Sequence, residues 1–189
     1  MKSKNKIVIK TFITKKGEKA IIRYPTLGDL EKMTAYINTL SKEDTYVTFS
    51  GEQLTLNEER EFLVKTLKQI EGGDKVFLCC FLGVELAGVS NVDRNVENRK
   101  RARHIGKFGL SVASNYRDEG VGFELARATI EEARAKMPSL KMIELEVYDI
   151  NKTAKNLYKK LGFTEVGTIP EAILYKDKYV GDTIMYLKL

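Results

Sequence analysis

Between an apolar strand pattern that ends at Ala113 and a helical stripe that begins at Gly122 lies Arg117-Asp118-Glu119-Gly120-Val121-Gly122, an R-x-x-G-x-G element. It constrains both how the chain turns and what the turn can hold. Glycines let backbone amides approach a ligand closely, and the first turn of the following helix adds unpaired donors and the positive end of its dipole. Together these predict a cradle for an anionic group such as a pyrophosphate. A second element, Asn151-Lys-Thr-Ala-Lys-Asn-Leu-Tyr158-Lys-Lys-Leu-Gly-Phe163, also opens a helix behind a strand.

The rest of the chain is read around these two elements. Ile7 to Thr14 and Ala20 to Tyr24 are expected strands separated by a Lys-Gly turn, and Thr26 to about Leu40 is an expected helix. A second helix is expected from Asn57 to Glu71, with Asn57 as its N-cap, Phe62, Leu63, Leu67 and Ile70 on one side, and Gly72-Gly73 as its stop. Lys75 to Phe81 and Glu85 to Asn91 should form a hairpin about Gly83. Arg103 to Ala113 is the strand that feeds the cradle. Gly122, Ala126, Ile130, Ala133 and Met137 recur at helical spacing until Pro138. Ile143, Leu145 and Val147 then alternate with Glu144, Glu146 and Tyr148 as in a half-buried strand. The next helix is capped by Asn151, with Ala154, Leu157 and Leu161 as core positions and Gly162 at its end. Phe163 to Leu189 reads as two strands around a loop at Lys176 to Tyr179. This order predicts an α+β fold with a mixed sheet.

At 189 residues and 43% hydrophobic content, one domain with a single sizeable core is expected. No apolar run approaches the roughly 20 residues a membrane helix needs, so no membrane partner is expected. No apolar signal segment follows Met1 to Lys10, and a cytoplasmic location is the expectation. Cys79 and Cys80 are adjacent on a strand, point to opposite faces, and supply neither disulfide geometry nor metal-ligand spacing. Both read as packing residues, and no metal is expected. The formal charge of +6 admits a nucleic-acid module, which would bind DNA or RNA in a salt-dependent way. The lysines, however, are interspersed with acids along helices, and the basic cluster Asn98 to His104 lacks interleaved aromatics. Nucleic acid is therefore not the expected partner.

A strand, R-x-x-G-x-G and a helix, then a strand and N-x-x-A-x-x-L-Y-x-K-x-G-F, resemble the GNAT superfamily of acetyl-coenzyme A-dependent N-acetyltransferases. The likeness covers roughly residues 20–189, with residues 1–19 as an N-terminal extension. It implies a mostly antiparallel sheet, splayed between two parallel strands and flanked by about four helices. It implies acetyl-coenzyme A as cosubstrate, with its pyrophosphate on Arg117, Asp118, Glu119, Gly120, Val121 and Gly122, and its pantetheine arm paired with the backbone of Leu110, Ser111 and Val112. Asn151 would bond the pantetheine, and Tyr158 would give a proton to the departing thiolate. Such enzymes act by direct attack of an amine in a ternary complex, on small-molecule amines or peptide N-termini. A homodimer is an option the likeness leaves open, as is a coenzyme A-binding sensor that has lost turnover.

An amine of pKa near 10 arrives protonated, so a base or a water relay must deprotonate it. Glu146 is the candidate, against the alternative of an outward-facing strand residue; His104 and Asp93 are its rivals. Asp118 and Glu119 are atypical beside a diphosphate; the backbone contacts hold if their side chains point to solvent and favour the helix dipole, at some cost in cofactor affinity. Lys152 and Lys155 are candidates for compensating charge. Glu43 and Asp44 could attract a cationic amine. A side chain in place of Gly122 is expected to enter the phosphate path.

Overall fold

The structure, a computed structural model, describes residues 7–43, 45–46, 50–94 and 99–189. Eight strands form one sheet in the order β1-β2-β3-β4-β5-β6-β8-β7. They are β1 (Val8–Ile13), β2 (Lys19–Arg23), β3 (Lys75–Leu82), β4 (Glu85–Arg94), β5 (Ile105–Val112), β6 (Met142–Tyr148), β7 (Thr164–Tyr175) and β8 (Lys178–Lys188). The helices are α1 (Leu30–Lys42), α2 (Leu56–Glu71), the short α3 (Arg99–Ala102), α4 (Val121–Lys136) and α5 (Lys152–Lys160). All strand pairs are antiparallel except β5 with β6. Among the described residues no helix is long and apolar enough to cross a membrane.

The sheet separates two apolar layers, and β3, buried along its whole length, serves both. Val76, Leu78, Cys80 and Leu82 face a layer built with α4 and α5, where Val121, Leu125, Ala126, Ala133 and Tyr158 pack. Phe77, Cys79 and Phe81 face the other, under Met33, Tyr36 and Leu40 of α1 and Leu63 of α2. Period-two alternation on a strand with apolar residues at both parities produces this two-sided burial. Both cysteines are free and buried.

The helix ends differ from expectation at one point. Thr55, not Asn57, caps α2: the Thr55 Oγ1 accepts from the Glu58 amide at 3.3 Å and Glu58 returns a bond to the Thr55 amide at 2.8 Å. This reciprocal box satisfies two orphan donors, which a cap at Asn57 would not. On α5 the expected core positions Ala154, Leu157 and Leu161 are only half-buried, and Tyr158 is the buried one. The expected loop at Lys176 to Tyr179 is a two-residue turn in which Lys176 and Asp177 both have positive φ, the geometry that follows strand twist.

At the start of α1 a buried ion pair fixes the chain. Arg23 donates to Asp29 through Nη1 at 2.8 Å and Nη2 at 2.6 Å, and its guanidinium lies 4.0 Å from the Phe81 ring centroid. Asp29 also accepts from the amide and hydroxyl of Thr26 at 2.8 Å each. Burial works to raise this carboxyl, yet the bonds from Arg23 and Thr26 outweigh it and hold it at about 2.

Glu59 on α2 is 4% exposed, and burial pushes its carboxyl up to about 7 from 4.5. A raised acid favours the fold when protonated, so this contribution is complete below about pH 4.5 and is lost as pH rises through about 7. Thermal unfolding of the wild type should therefore drift down across that window, by on the order of 2 kcal/mol, while Glu59→Gln should show no such drift. Parallel curves for the two proteins would exclude this assignment.

Candidate active site

β5 and β6 pair over three residues only, Ile105 to Lys107 with Met142 to Glu144. Beyond them β5 follows β4 as far as Val112, and β6 follows β8 as far as Tyr148, so the sheet forks. A cleft of about 190 Å³ lies in the fork, lined by Lys107, Phe108, Glu144, Leu145, Glu146 and Ile184. A larger depression of about 370 Å³ along the outside of α2, from Arg60 to Lys68, carries none of the candidate residues.

One wall of the fork is a strand edge with no strand paired to it. The Ala113 amide donates to the Ala87 carbonyl of β4 at 3.0 Å. Alternation along the strand then turns the amides and carbonyls of Leu110 and Val112 toward the fork. The Ser111 backbone is turned to β4 instead, and its hydroxyl is 2.8 Å from that of Tyr36. Only two of the three expected strand residues therefore offer backbone groups to an added chain.

After β5 the chain makes a 3₁₀ turn at Ser114–Tyr116 and enters the cradle. Arg117 does not reach into it: Nε donates to the Val112 carbonyl at 2.9 Å, and Nη2 pairs with Glu43. Glu43 also accepts from the Ser114 amide at 3.3 Å, so it is not facing an incoming amine as expected; Asp44 lies outside the described residues. Asp118 (φ 62°) and Gly120 (φ 86°) are both left-handed. That region suits glycine at Gly120, where a Cβ would meet no atom within 4 Å. The first intrahelical bond of α4 runs from the Glu124 amide to the Gly120 carbonyl, which leaves the Val121, Gly122 and Phe123 amides without helical partners. Open space beside Gly120, three unpaired amides and the helix dipole fit a diphosphate.

Two features of the cradle bear on its glycine and its acids. A Cβ at Gly122 would meet Leu157 and Val112 at 3.5 Å, ordinary contact distance, on the side where α4 packs on α5 and β5. Asp118 is exposed, whereas Glu119 is buried: its carboxylate accepts from the Lys16 amide at 3.0 Å and pairs with Lys16 Nζ at 2.9 Å. The acidic group atypical of such a loop is thus turned away into the β1–β2 hairpin.

Asn151 caps α5, its side chain accepting from the Ala154 amide at 3.1 Å. Lys155 is not spare charge, because its Nζ is held by Glu165 at 3.3 Å; Lys152 is exposed. Tyr158 is 8% exposed, with its ring edge-on to Phe108 at 5.9 Å and tilted against Phe163 at the same distance. It stands behind Phe108, which lines the cleft. Burial pushes its hydroxyl up to about 12.

Glu146 is exposed at the cleft, 3.4 Å from Lys107 across the fork. Its neighbours Leu145 and Val147 are buried on the opposite face of β6. The rivals sit elsewhere. His104 precedes β5 at the closed end of the parallel pair, its carbonyl bonded by the Lys141 and Met142 amides, and Asp93 pairs with Lys75 at 3.1 Å. Sequence reading missed Asp182 on β8, whose carboxyl is raised by burial and by the charge of Glu146, with help lost to Lys107 and the Val147 amide. It also missed Tyr46, Tyr148 and Tyr175, whose rings meet at 5.3 to 5.8 Å. The register of β6 and β8 brings Tyr148 opposite Asp182, and no sequence spacing announces that pairing.

Known proteins resemble this chain in sequence and fold. Residues 36–163 match the model of the acetyltransferase (GNAT) family. An L-amino acid N-acetyltransferase of Escherichia coli is 33% identical over 108 residues, which is 57% of this chain and 64% of that protein. An N-alpha-acetyltransferase of Sulfurisphaera tokodaii is 29% identical over 158 residues, 80% of this chain and 84% of that protein. The crystal structure of a GNAT-family acetyltransferase from Streptococcus pneumoniae superposes with a TM-score of 0.81 at 28% identity, over 90% of this chain and 99% of that one.

Proposed function

This chain belongs to the acetyltransferase (GNAT) family, and from that premise we propose that it moves an acetyl group from acetyl-coenzyme A to a primary amine, either a small-molecule amine or a peptide N-terminus, by direct attack in a ternary complex. The observation that carries the reading is the fork. Its β5 edge, with no strand partner at Leu110 and Val112 although Arg117 takes the Val112 carbonyl, leads straight to the left-handed loop and the unpaired amides at the start of α4.

In this reading the pyrophosphate rests on the amides of Val121, Gly122 and Phe123, beside the open space at Gly120. The pantetheine arm pairs with the Leu110 and Val112 backbone as an added strand would, and the Asn151 amide group, held in place by its capping bond, donates to it. The thioester then lies in the fork between Phe108 and Leu145. Glu146, at the mouth of the cleft, takes the proton from the acceptor ammonium, directly or through a water it orders. The amine attacks the thioester carbonyl, the C–S bond breaks, Tyr158 gives its proton to the thiolate, and the surplus proton of the new amide nitrogen passes through solvent to reprotonate Tyr158. Cys79 and Cys80 are buried on β3, which leaves no route through an acyl-cysteine at those positions.

The test is calorimetric titration with acetyl-coenzyme A, followed by thiol release with a panel of amines. The curated relatives act on an L-amino acid and as an N-alpha-acetyltransferase, so the panel begins with amino acids and N-terminal peptides and extends to polyamines and aminoglycosides. Acetyl-coenzyme A is expected to bind and at least one acceptor to turn over. Absence of binding at high micromolar concentration overturns the proposal; binding with no turnover on any acceptor makes the chain a coenzyme A sensor instead.

A further inference from the structure

The N-terminal hairpin touches the cradle at more points than a strand added to a sheet edge requires. β1 and β2 are joined by a tight turn in which the Thr14 amide bonds the Glu18 carbonyl and the Gly17 amide bonds the Thr14 carbonyl, each at 2.9 Å. This turn grips the middle of the phosphate loop from both sides of one residue. The Lys15 amide donates to the Glu119 carbonyl at 3.2 Å, the Lys16 amide to its carboxylate at 3.0 Å, and the Lys16 Nζ to its other carboxylate oxygen at 2.9 Å. Glu119 is 9% exposed and Thr14 4% exposed, while the Lys16 side chain that pairs with Glu119 lies mostly in solvent. A second tie runs from Lys10 on β1 to Glu124 in the first turn of α4 at 2.5 Å, where Arg127 also binds at 2.8 Å.

The residues on either side of Glu119, Asp118 and Gly120, are the two left-handed ones. A non-glycine residue in that region is strained and persists only where its surroundings hold it. The surroundings here are the hairpin turn. Two carboxylates that would oppose a diphosphate, Glu119 and Glu124, are moreover each neutralised by a lysine of the hairpin. The turn thus supports the loop's backbone and the charge of Glu119, while β1 supplies the lysine for Glu124.

We propose that residues 14–18 form a latch on the phosphate loop, and that Glu119 is a positioning residue: by docking into this turn it sets the loop's amides in their binding conformation before acetyl-coenzyme A arrives. The proposal rests on the reading of residues 117–122 as the pyrophosphate site. It gives the N-terminal extension, which lies outside the family-matching segment, a role in cosubstrate affinity.

The test combines hydrogen exchange on the free protein with calorimetric titration of acetyl-coenzyme A, for wild type, Glu119→Ala, Glu119→Gln and Lys16→Ala. In Glu119→Ala the amides of residues 118–123 should exchange faster while those of β3 are unchanged, and Kd for acetyl-coenzyme A should rise about tenfold, since preorganisation is what is lost. In turnover the change should fall on KM for acetyl-coenzyme A. Glu119→Gln keeps an oxygen that accepts from the Lys16 amide and should stay within about threefold of wild type. Lys16→Ala, which keeps the backbone bonds, supplies the comparison should Glu119→Ala not fold, and should raise Kd by about two- to threefold. Unchanged loop exchange in Glu119→Ala overturns the latch, as does faster exchange with an unchanged Kd. Equal losses in Glu119→Ala and Glu119→Gln overturn it too. If the wild type binds no acetyl-coenzyme A, the functional reading fails, and the exchange data still decide whether the hairpin holds the loop.

Discussion

Tyr158→Phe is expected to leave acetyl-coenzyme A affinity within about twofold of wild type and to lower kcat by roughly two orders of magnitude or more, the range for loss of a general acid. The substitution keeps the ring, and with it the contacts to Phe108 and Phe163. Only the hydroxyl goes. Burial holds that hydroxyl at about 12, so it is protonated throughout the pH range in which the fold is studied and is always a donor. The same exclusion of water raises the energy of a thiolate formed nearby, which is the moment a proton is needed. A packing role predicts the opposite pattern: turnover unchanged, with a shift in unfolding midpoint. Steady-state kinetics and thermal unfolding on one preparation separate the two, and unchanged kcat would rule out the proton-donor role.

Asp29→Ala should be the most destabilising single change described for this chain, costing about 3 to 5 kcal/mol, because it strands a buried guanidinium. Arg23 is 5% exposed and Asp29 1% exposed, and both carboxylate oxygens are occupied by its fork. Removing the carboxylate also frees the Thr26 amide and hydroxyl that define the turn into α1. The pH dependence follows from the sign of the shift. Asp29 is held below its ordinary 3.8, so its contribution is present above that value and is lost as pH falls through about 2. Urea unfolding at neutral pH measures the cost directly. The exposed Lys107–Glu146 pair offers the contrast, since Lys107→Ala should change stability by less than about 1 kcal/mol. A loss of similar size at both sites would contradict the account of burial given for the Arg23 pair.

The order and kind of the strands and long helices were legible because apolar periodicity reports on neighbours within one element, whereas the short polar α3 has no such periodicity to read. The alternation of Ile143, Leu145 and Val147 placed β6 correctly, and the stripe from Gly122 to Met137 placed α4. Local chemistry was misread once, when Asn57 was preferred to Thr55, since the reciprocal bond from Glu58 decides between two acceptable caps. Contacts between distant segments were not legible. Arg117 and Glu43 are 74 residues apart and Lys16 and Glu119 are 103 apart, and nothing in either local sequence marks its partner. The fork itself came only through the family resemblance, because pairing that stops after three residues leaves no trace in the hydrophobic pattern of β5 or β6.

Cys79 and Cys80 are one residue apart in the chain and a whole layer apart in space, the first under α1 and α2, the second under α4 and α5. Each thiol is fully hidden, and burial raises both, Cys80 to about 12, so neither offers a thiolate to a reagent in the closed state. Alkylation of either one must wait for its own side of the sheet to lift. The chain therefore carries two clocks, one set by excursions of the α1–α2 side and one by excursions of the side that bears the phosphate loop. Their relative rates, read by mass spectrometry of the labelled peptide, would report which side of the molecule breathes first, and whether acetyl-coenzyme A slows one clock or both.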